Sequence, residues 1–165
     1  MADGTFAVLL YALGLIDMSA NHCGTDAGCF GRSPTEPRLA FSAGEVLERQ
    51  ASPGGEIFLR YDLDRKRGPF GRAVGLSVGE RGEIWAGFGT TYTMQAESGL
   101  YAELHTMAGL YEAGDGLDLG GPIAFRSGIE LGFEAANGWR YALSYDHRSN
   151  AELYDANPGV ETVQF

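Results

Sequence analysis

The sequence predicts an all-β protein, an eight-stranded antiparallel transmembrane β-barrel, and three observations predict it. From Pro37 to the C-terminus, apolar residues alternate with polar ones in segment after segment, the period of two that marks strands rather than helices. Glycine occurs 25 times in 165 residues, about twice the usual usage of about 7%. Glycine costs entropy inside regular elements, so that density implies many turns and bent, closely approaching strands. Eight tyrosines and nine phenylalanines add the aromatic content that pleated surfaces favour.

Residues 1–36 precede this pattern and read as an N-terminal extension, with the barrel at 37–165. Its apolar run, Phe6 to Ile16, is shorter than the roughly 18 residues of a spanning helix. No basic residue precedes it, so it is a poor signal peptide, and "MADGTF" reads as a mature terminus behind an initiating Met1, as if a leader had been replaced. The run is an apolar anchor, a partner-binding extension or a first strand. Counted as a strand it gives nine, against the even number usual for bacterial barrels. Cys23 and Cys29, the only cysteines, bracket a short glycine-containing loop that a disulfide would close in an oxidising compartment. Two free thiols are the alternative, as is a metal held by His22, Cys23 and Cys29, for which no fourth ligand is evident.

Eight strands follow, at Arg38–Leu47, Glu56–Asp64, Gly71–Gly79, Ile84–Met94, Gly99–Tyr111, Ile123–Ala135, Gly138–Ser149 and Val160–Phe165. The connections carry turn residues, "ASPGG", "ERGE" and "NAELYDANPG" among them, and Asn137-Gly138 is a two-residue hairpin signal. In the seventh strand Trp139, Tyr141, Leu143, Tyr145, His147 and Ser149 share one face, opposite Arg140, Ala142, Ser144, Asp146 and Arg148. In the sixth, Ile123, Phe125, Ile129, Leu131 and Phe133 oppose Arg126, Gly128, Glu130, Gly132 and Glu134. A soluble barrel would turn the apolar face inward; a membrane barrel turns it to lipid and pairs the charges in its lumen. Long strands, aromatics toward strand ends and an aromatic last residue, Phe165, favour the membrane. Arg60, Asp62, Glu103, Arg126 and Glu130 then become paired lumen charges, and His105 a lumen residue. An excess of 22 acidic over 12 basic residues argues against nucleic acid as a partner.

One stretch breaks the apolar face. His147 and Ser149 end the seventh strand on its outer side, and in the last strand Glu161 shares a face with Val163 and Phe165. As hairpin neighbours, the two strands bring all three polar groups to one outer edge. There they would be costly unless bonded to each other, and a serine, a base and a carboxylate are the parts of an activated nucleophile.

"HRSNA", then "NPGVE" with its glutamate fourteen residues after the histidine, resembles the PagL family of outer-membrane lipid A 3-O-deacylases. The resemblance implies an eight-stranded barrel in the outer membrane of a Gram-negative bacterium, acting on lipid A of lipopolysaccharide without metal or organic cofactor. It implies Ser149 as nucleophile, His147 as general base and Glu161 as the group orienting the imidazole, with Asn150 helping to build an oxyanion site. With eight strands both termini face the periplasm, so His147 and Ser149 lie near the outer leaflet, where that substrate resides.

The last strand holds about six residues, below the roughly 9 to 11 that span, which puts barrel closure and the placement of Glu161 in question. A non-catalytic barrel of the same family serving as a scaffold, alone, as a homo-oligomer or with a membrane-protein partner, is therefore the rival reading. A soluble lipid-binding barrel is a second. "DLDRKRG" lacks the acidic twelfth position of a calcium loop, where Ala73 stands, and "GFGTTY" lacks the third glycine of a dinucleotide site.

Overall fold

The computed structural model describes residues 4–47 and 54–165. Among the described residues one helix, α1 (Thr5–Asp17), continues into a wider turn at Met18–His22 and is followed by ten strands. They are β1 (Arg32–Pro34), β2 (Arg38–Leu47), β3 (Gly54–Asp62), β4 (Arg65–Arg67), β5 (Gly71–Gly79), β6 (Ile84–Gln95), β7 (Leu100–Glu112), β8 (Ile123–Glu134), β9 (Arg140–Ser149) and β10 (Val160–Gln164). Eight of them close an antiparallel barrel in the order β10-β2-β3-β5-β6-β7-β8-β9. The short β1 and β4 pair with each other as a separate ribbon.

Closure does not need a long final strand. β10 has five residues, yet it pairs with β9 on one side and β2 on the other. Phe165 prolongs the seam by exchanging two backbone hydrogen bonds of 3.0 Å with Ala43. Below Ser144, β9 runs on past the end of β10, and there side chains bridge the gap. The Arg38 guanidinium lies 3.1 Å from Glu134, which lies 2.7 Å from Arg140. The apolar run at Phe6–Ile16 is therefore not part of the wall.

Burial decides which way the barrel faces. Phe88 is 71% and Leu39 73% exposed on the outside, while Arg126 is fully buried and Glu103 and His105 nearly so within. That is the inside-out pattern of a membrane barrel. The lumen charges form two networks. Arg60 pairs with Glu103, with Asp62 at 3.1 Å and with Glu130 at 3.3 Å. Nearer the opposite rim Arg126 reaches Glu56 at 2.8 Å and Asp146 at 2.5 Å, His105 lies 3.1 Å from Asp146, and Arg148 pairs with Glu56. Arg126 also lies over the Phe58 ring, 3.8 Å from its centroid. Above it Trp85, Met107 and Leu119 plug the lumen, and Trp85 Nε1 donates to the Ala124 carbonyl at 3.1 Å.

α1 lies outside the barrel, mainly along β7. Leu10 is fully buried against Tyr92 and Leu104 of the outer wall, with Phe6, Leu13, Phe70 and Ile129 around them. Gly14 permits this closeness, because a Cβ there would overlap the Phe70 ring. The helix has 13 residues, about 20 Å at 1.5 Å per residue, and no helix among the described residues is long and apolar enough to cross a membrane. Cys23 and Cys29 are joined by a disulfide, so neither thiol is free to hold a metal. The same loop is tied to the β4–β5 hairpin, where Gly68 N–H donates to Gly31 at 2.9 Å.

Candidate active site

The site lies at the end of β9, at the rim opposite to where β2 begins and β10 ends. Register brings its parts together. Glu161 is the direct cross-strand partner of His147 on one side, and Ser127 of β8 is its partner on the other. Ser149, two residues beyond His147, shares its face and is paired with Phe125. Directly opposed residues hold their Cβ atoms about 4.5–5.5 Å apart, and two steps along a strand cover about 7 Å. A serine, an imidazole and a carboxylate thus form one continuous outward row.

The inward residues of the same strands fix this row from behind. Asp146 and Arg148, on either side of His147, are held by Arg126, His105 and Glu56. On β10, Gln164 donates to Glu56 at 2.9 Å and accepts from Arg126 at 3.2 Å and from Ser42 at 3.0 Å. The backbone on both sides of the His147–Glu161 pair is pinned by buried polar contacts, which are costly to leave unmade.

The connection 150–159 folds over the site. Asn150 organises it: its Nδ2 donates to the carbonyls of Leu119 at 2.5 Å and Ala156 at 2.6 Å, and its N–H donates to Asn157 Oδ1 at 3.0 Å. Ala151 and Glu152 then turn the chain with φ of 53° and 63°, a left-handed conformation that non-glycine residues adopt at a cost. The chain returns through Gly159, φ 68°, whose missing Cβ would stand 3.0 Å from His147 Cε1. The loop thereby covers the imidazole, and His147 and Ser149 are buried although they lie on the outward face of β9, as is Asn150 just beyond it.

All four residues expected from the sequence therefore lie around one point, with Asn150 engaged by its neighbours. Three others were not expected. Tyr145, one outward step below His147 and paired with Val163, is the diagonal cross-strand neighbour of Glu161. Ser127 is buried beside His147; the signal for it was a polar residue interrupting the outer row Ile123, Phe125, Ile129, Leu131. Gly159 read as an ordinary turn glycine and is in fact the roof over the imidazole.

Residues 57–165 match the family described as lipid A 3-O-deacylase (PagL). The chain belongs to the PagL family. Its barrel is similar to a solved structure titled "Crystal structure of the outer membrane enzyme PagL", with a TM-score of 0.57 and 22% identity over 77% of this chain and 95% of that one. No curated protein sequence matches the chain significantly. The PagL match takes in β9, the covering loop and β10, and it begins beyond α1, the disulfide loop and β2.

Proposed function

We propose that this PagL-family barrel is an outer-membrane esterase that removes the 3-O-linked 3-hydroxyacyl chain from lipid A. The observation that carries the reading is the register that opposes Glu161 to His147 with Ser149 next on the same face. Ser149 Oγ attacks the ester carbonyl while His147 takes the hydroxyl proton, and Glu161 stabilises the imidazolium and fixes its orientation. The carbonyl–oxygen bond to the sugar breaks, the leaving alkoxide takes the proton from His147, and the acyl group stays on Ser149. Water, deprotonated by His147, then attacks the acyl-enzyme, releasing the 3-hydroxy fatty acid and restoring Ser149.

Asn150 is the residue this reading assigns to the oxyanion. Its Nδ2 hydrogens already serve the carbonyls of Leu119 and Ala156. It stabilises the developing charge only by exchanging one of those bonds, so the loop contact shifts during turnover. With the loops of the site rim at the cell exterior, the row faces the outer leaflet and meets its substrate without extracting it from the membrane. A His and a Ser on the outward face are tolerable there because the 150–159 loop covers the imidazole and both residues are buried.

The test is mass spectrometry of lipopolysaccharide incubated with the purified protein and with Ser149→Ala. Loss of one 3-hydroxyacyl mass with the wild type alone is the expected result. No loss with either leaves a scaffold role as the better reading, and equal loss with both removes Ser149 as the nucleophile.

A further inference from the structure

α1 lies beyond the PagL match, and nothing so far gives it a task. Its first turn nevertheless reaches the site. The Phe6 ring meets Tyr145 edge-on, with centroids 5.9 Å apart at 63°, and Tyr145 is the diagonal cross-strand neighbour of Glu161. Tyr145 sits one outward step, about 7 Å, below His147, on the side away from the covering loop. From there α1 runs along β7 and β8 toward Phe70.

From an ester carbonyl at Ser149 the outward row of β9 leads past His147 to Tyr145 and Leu143, and an acyl chain that follows this row descends along the outer face of the strand. Leu143 is 57% exposed, so this floor is bare. On the β8 side the floor ends against α1, where Phe6 and Leu9, three residues on, lie on neighbouring parts of one helix face. A sheet strip with a helix beside it makes a corner, and a corner buries two sides of a hydrocarbon chain where a smooth barrel wall would bury one.

We propose that α1 is the side wall of the acyl-chain groove and that Phe6 sets how strongly a long chain is favoured over a short one. This rests on the reading of Ser149 as the nucleophile toward a lipid A ester. Chains that reach past Tyr145 gain the contact with Phe6; chains that stop short of it do not. Gly14 is the second determinant, because its lack of a side chain lets α1 seat against Phe70.

The experiment compares kcat/KM for lipid A bearing a 3-O-linked 3-hydroxytetradecanoyl chain with that for the 3-hydroxyhexanoyl analogue. It uses the full-length wild type, Phe6→Ala, Gly14→Val and Val8→Ala, each checked for a folded barrel by heat-shifted gel migration. Phe6→Ala and Gly14→Val are expected to lower the long-to-short ratio about tenfold, the scale of discrimination by a hydrophobic pocket. Val8, 69% exposed on α1, leaves the ratio unchanged on substitution. A ratio within about twofold of wild type in either folded variant of Phe6 or Gly14 overturns the wall, and the closed hydrogen-bonded barrel, independent of α1, keeps both measurable. Release of neither chain by the wild type overturns the deacylase reading and this inference with it.

Discussion

Replacing Gly159 by alanine separates the chemistry of the site from the stability of the barrel. The residue has φ 68°, where an L side chain costs roughly 1–2 kcal/mol. The new methyl group would stand 3.0 Å from His147 Cε1 and 3.7 Å from Nε2. Carbon atoms prefer about 3.5–4.0 Å, so the imidazole must retreat by roughly half an ångström or more. Since a misplacement of about 1 Å can cost about a hundredfold in rate, kcat/KM for deacylation should fall about ten- to a hundredfold. Gly138 supplies the control. Its φ is 84° and no atom lies within 4 Å of its missing Cβ, so Gly138→Ala carries the same backbone strain without touching the site. The assay pairs the initial rate of 3-hydroxyacyl release with the temperature at which heat-shifted gel migration is lost. Both variants should lose similar stability and only Gly159→Ala should lose activity. Equal rates in the two variants would refute the argument that the loop positions the histidine.

Three further substitutions probe the supports of the row. Tyr145→Phe keeps the ring against Phe6 but removes the hydroxyl beside Glu161, so kcat should drop about tenfold, roughly 1.4 kcal/mol of transition-state stabilisation, with the barrel's melting temperature nearly unchanged. Asn150→Ala leaves the carbonyls of Leu119 and Ala156 without their donor, at about 1–3 kcal/mol each, so limited proteolysis should cut within 150–159 faster than in the wild type while the strands stay resistant. Arg126→Met leaves Glu56 and Asp146 in the lumen with Arg148, Gln164 and His105 to hold them. Breaking a buried pair costs about 3–5 kcal/mol, which should appear as a clearly lower unfolding temperature in the gel-migration assay.

The strands were legible because their signal is local. Arg38–Leu47 and Gly71–Gly79 are read from the sequence with the bounds they have in the structure, and the other barrel strands differ by one or two residues at one or both ends. The turn "DRKRGPF" hid β4, a strand of three residues whose pairing with β1 is a long-range event. α1 was not legible as a helix. A short apolar run has no polar face to betray its period, and this one needs none, since Leu10 meets the barrel while Val8 and Ile16 face outward. In the site, shared face and hairpin adjacency were enough to bring His147, Ser149 and Glu161 to one edge. Which residue opposes which was not, because a slip of one residue in β10 would turn Glu161 into the lumen. Tyr145 looked like a member of an interfacial aromatic girdle. Its place beside Glu161 exists only once that register is set.

What sets the register is the face the chemistry does not use. Along β9 the outward Tyr145, His147 and Ser149 alternate with inward Ser144, Asp146 and Arg148, and along β10 outward Glu161 and Val163 alternate with inward Thr162 and Gln164. Lipid on the outer side is nearly indifferent to which apolar residue it meets, so it cannot hold an imidazole in one place. The lumen is not indifferent. Arg126, Arg148, Glu56, Asp146 and Gln164 satisfy one another in a single arrangement, and shifting β10 by one residue would send Gln164 outward and strand Glu56 and Arg126 partly unpaired. A final strand of five residues has few ladder hydrogen bonds with which to resist such a slip. The buried ions supply the resistance, at the desolvation cost that buried charges always carry, and they are best understood as the device that keeps Glu161 opposite His147.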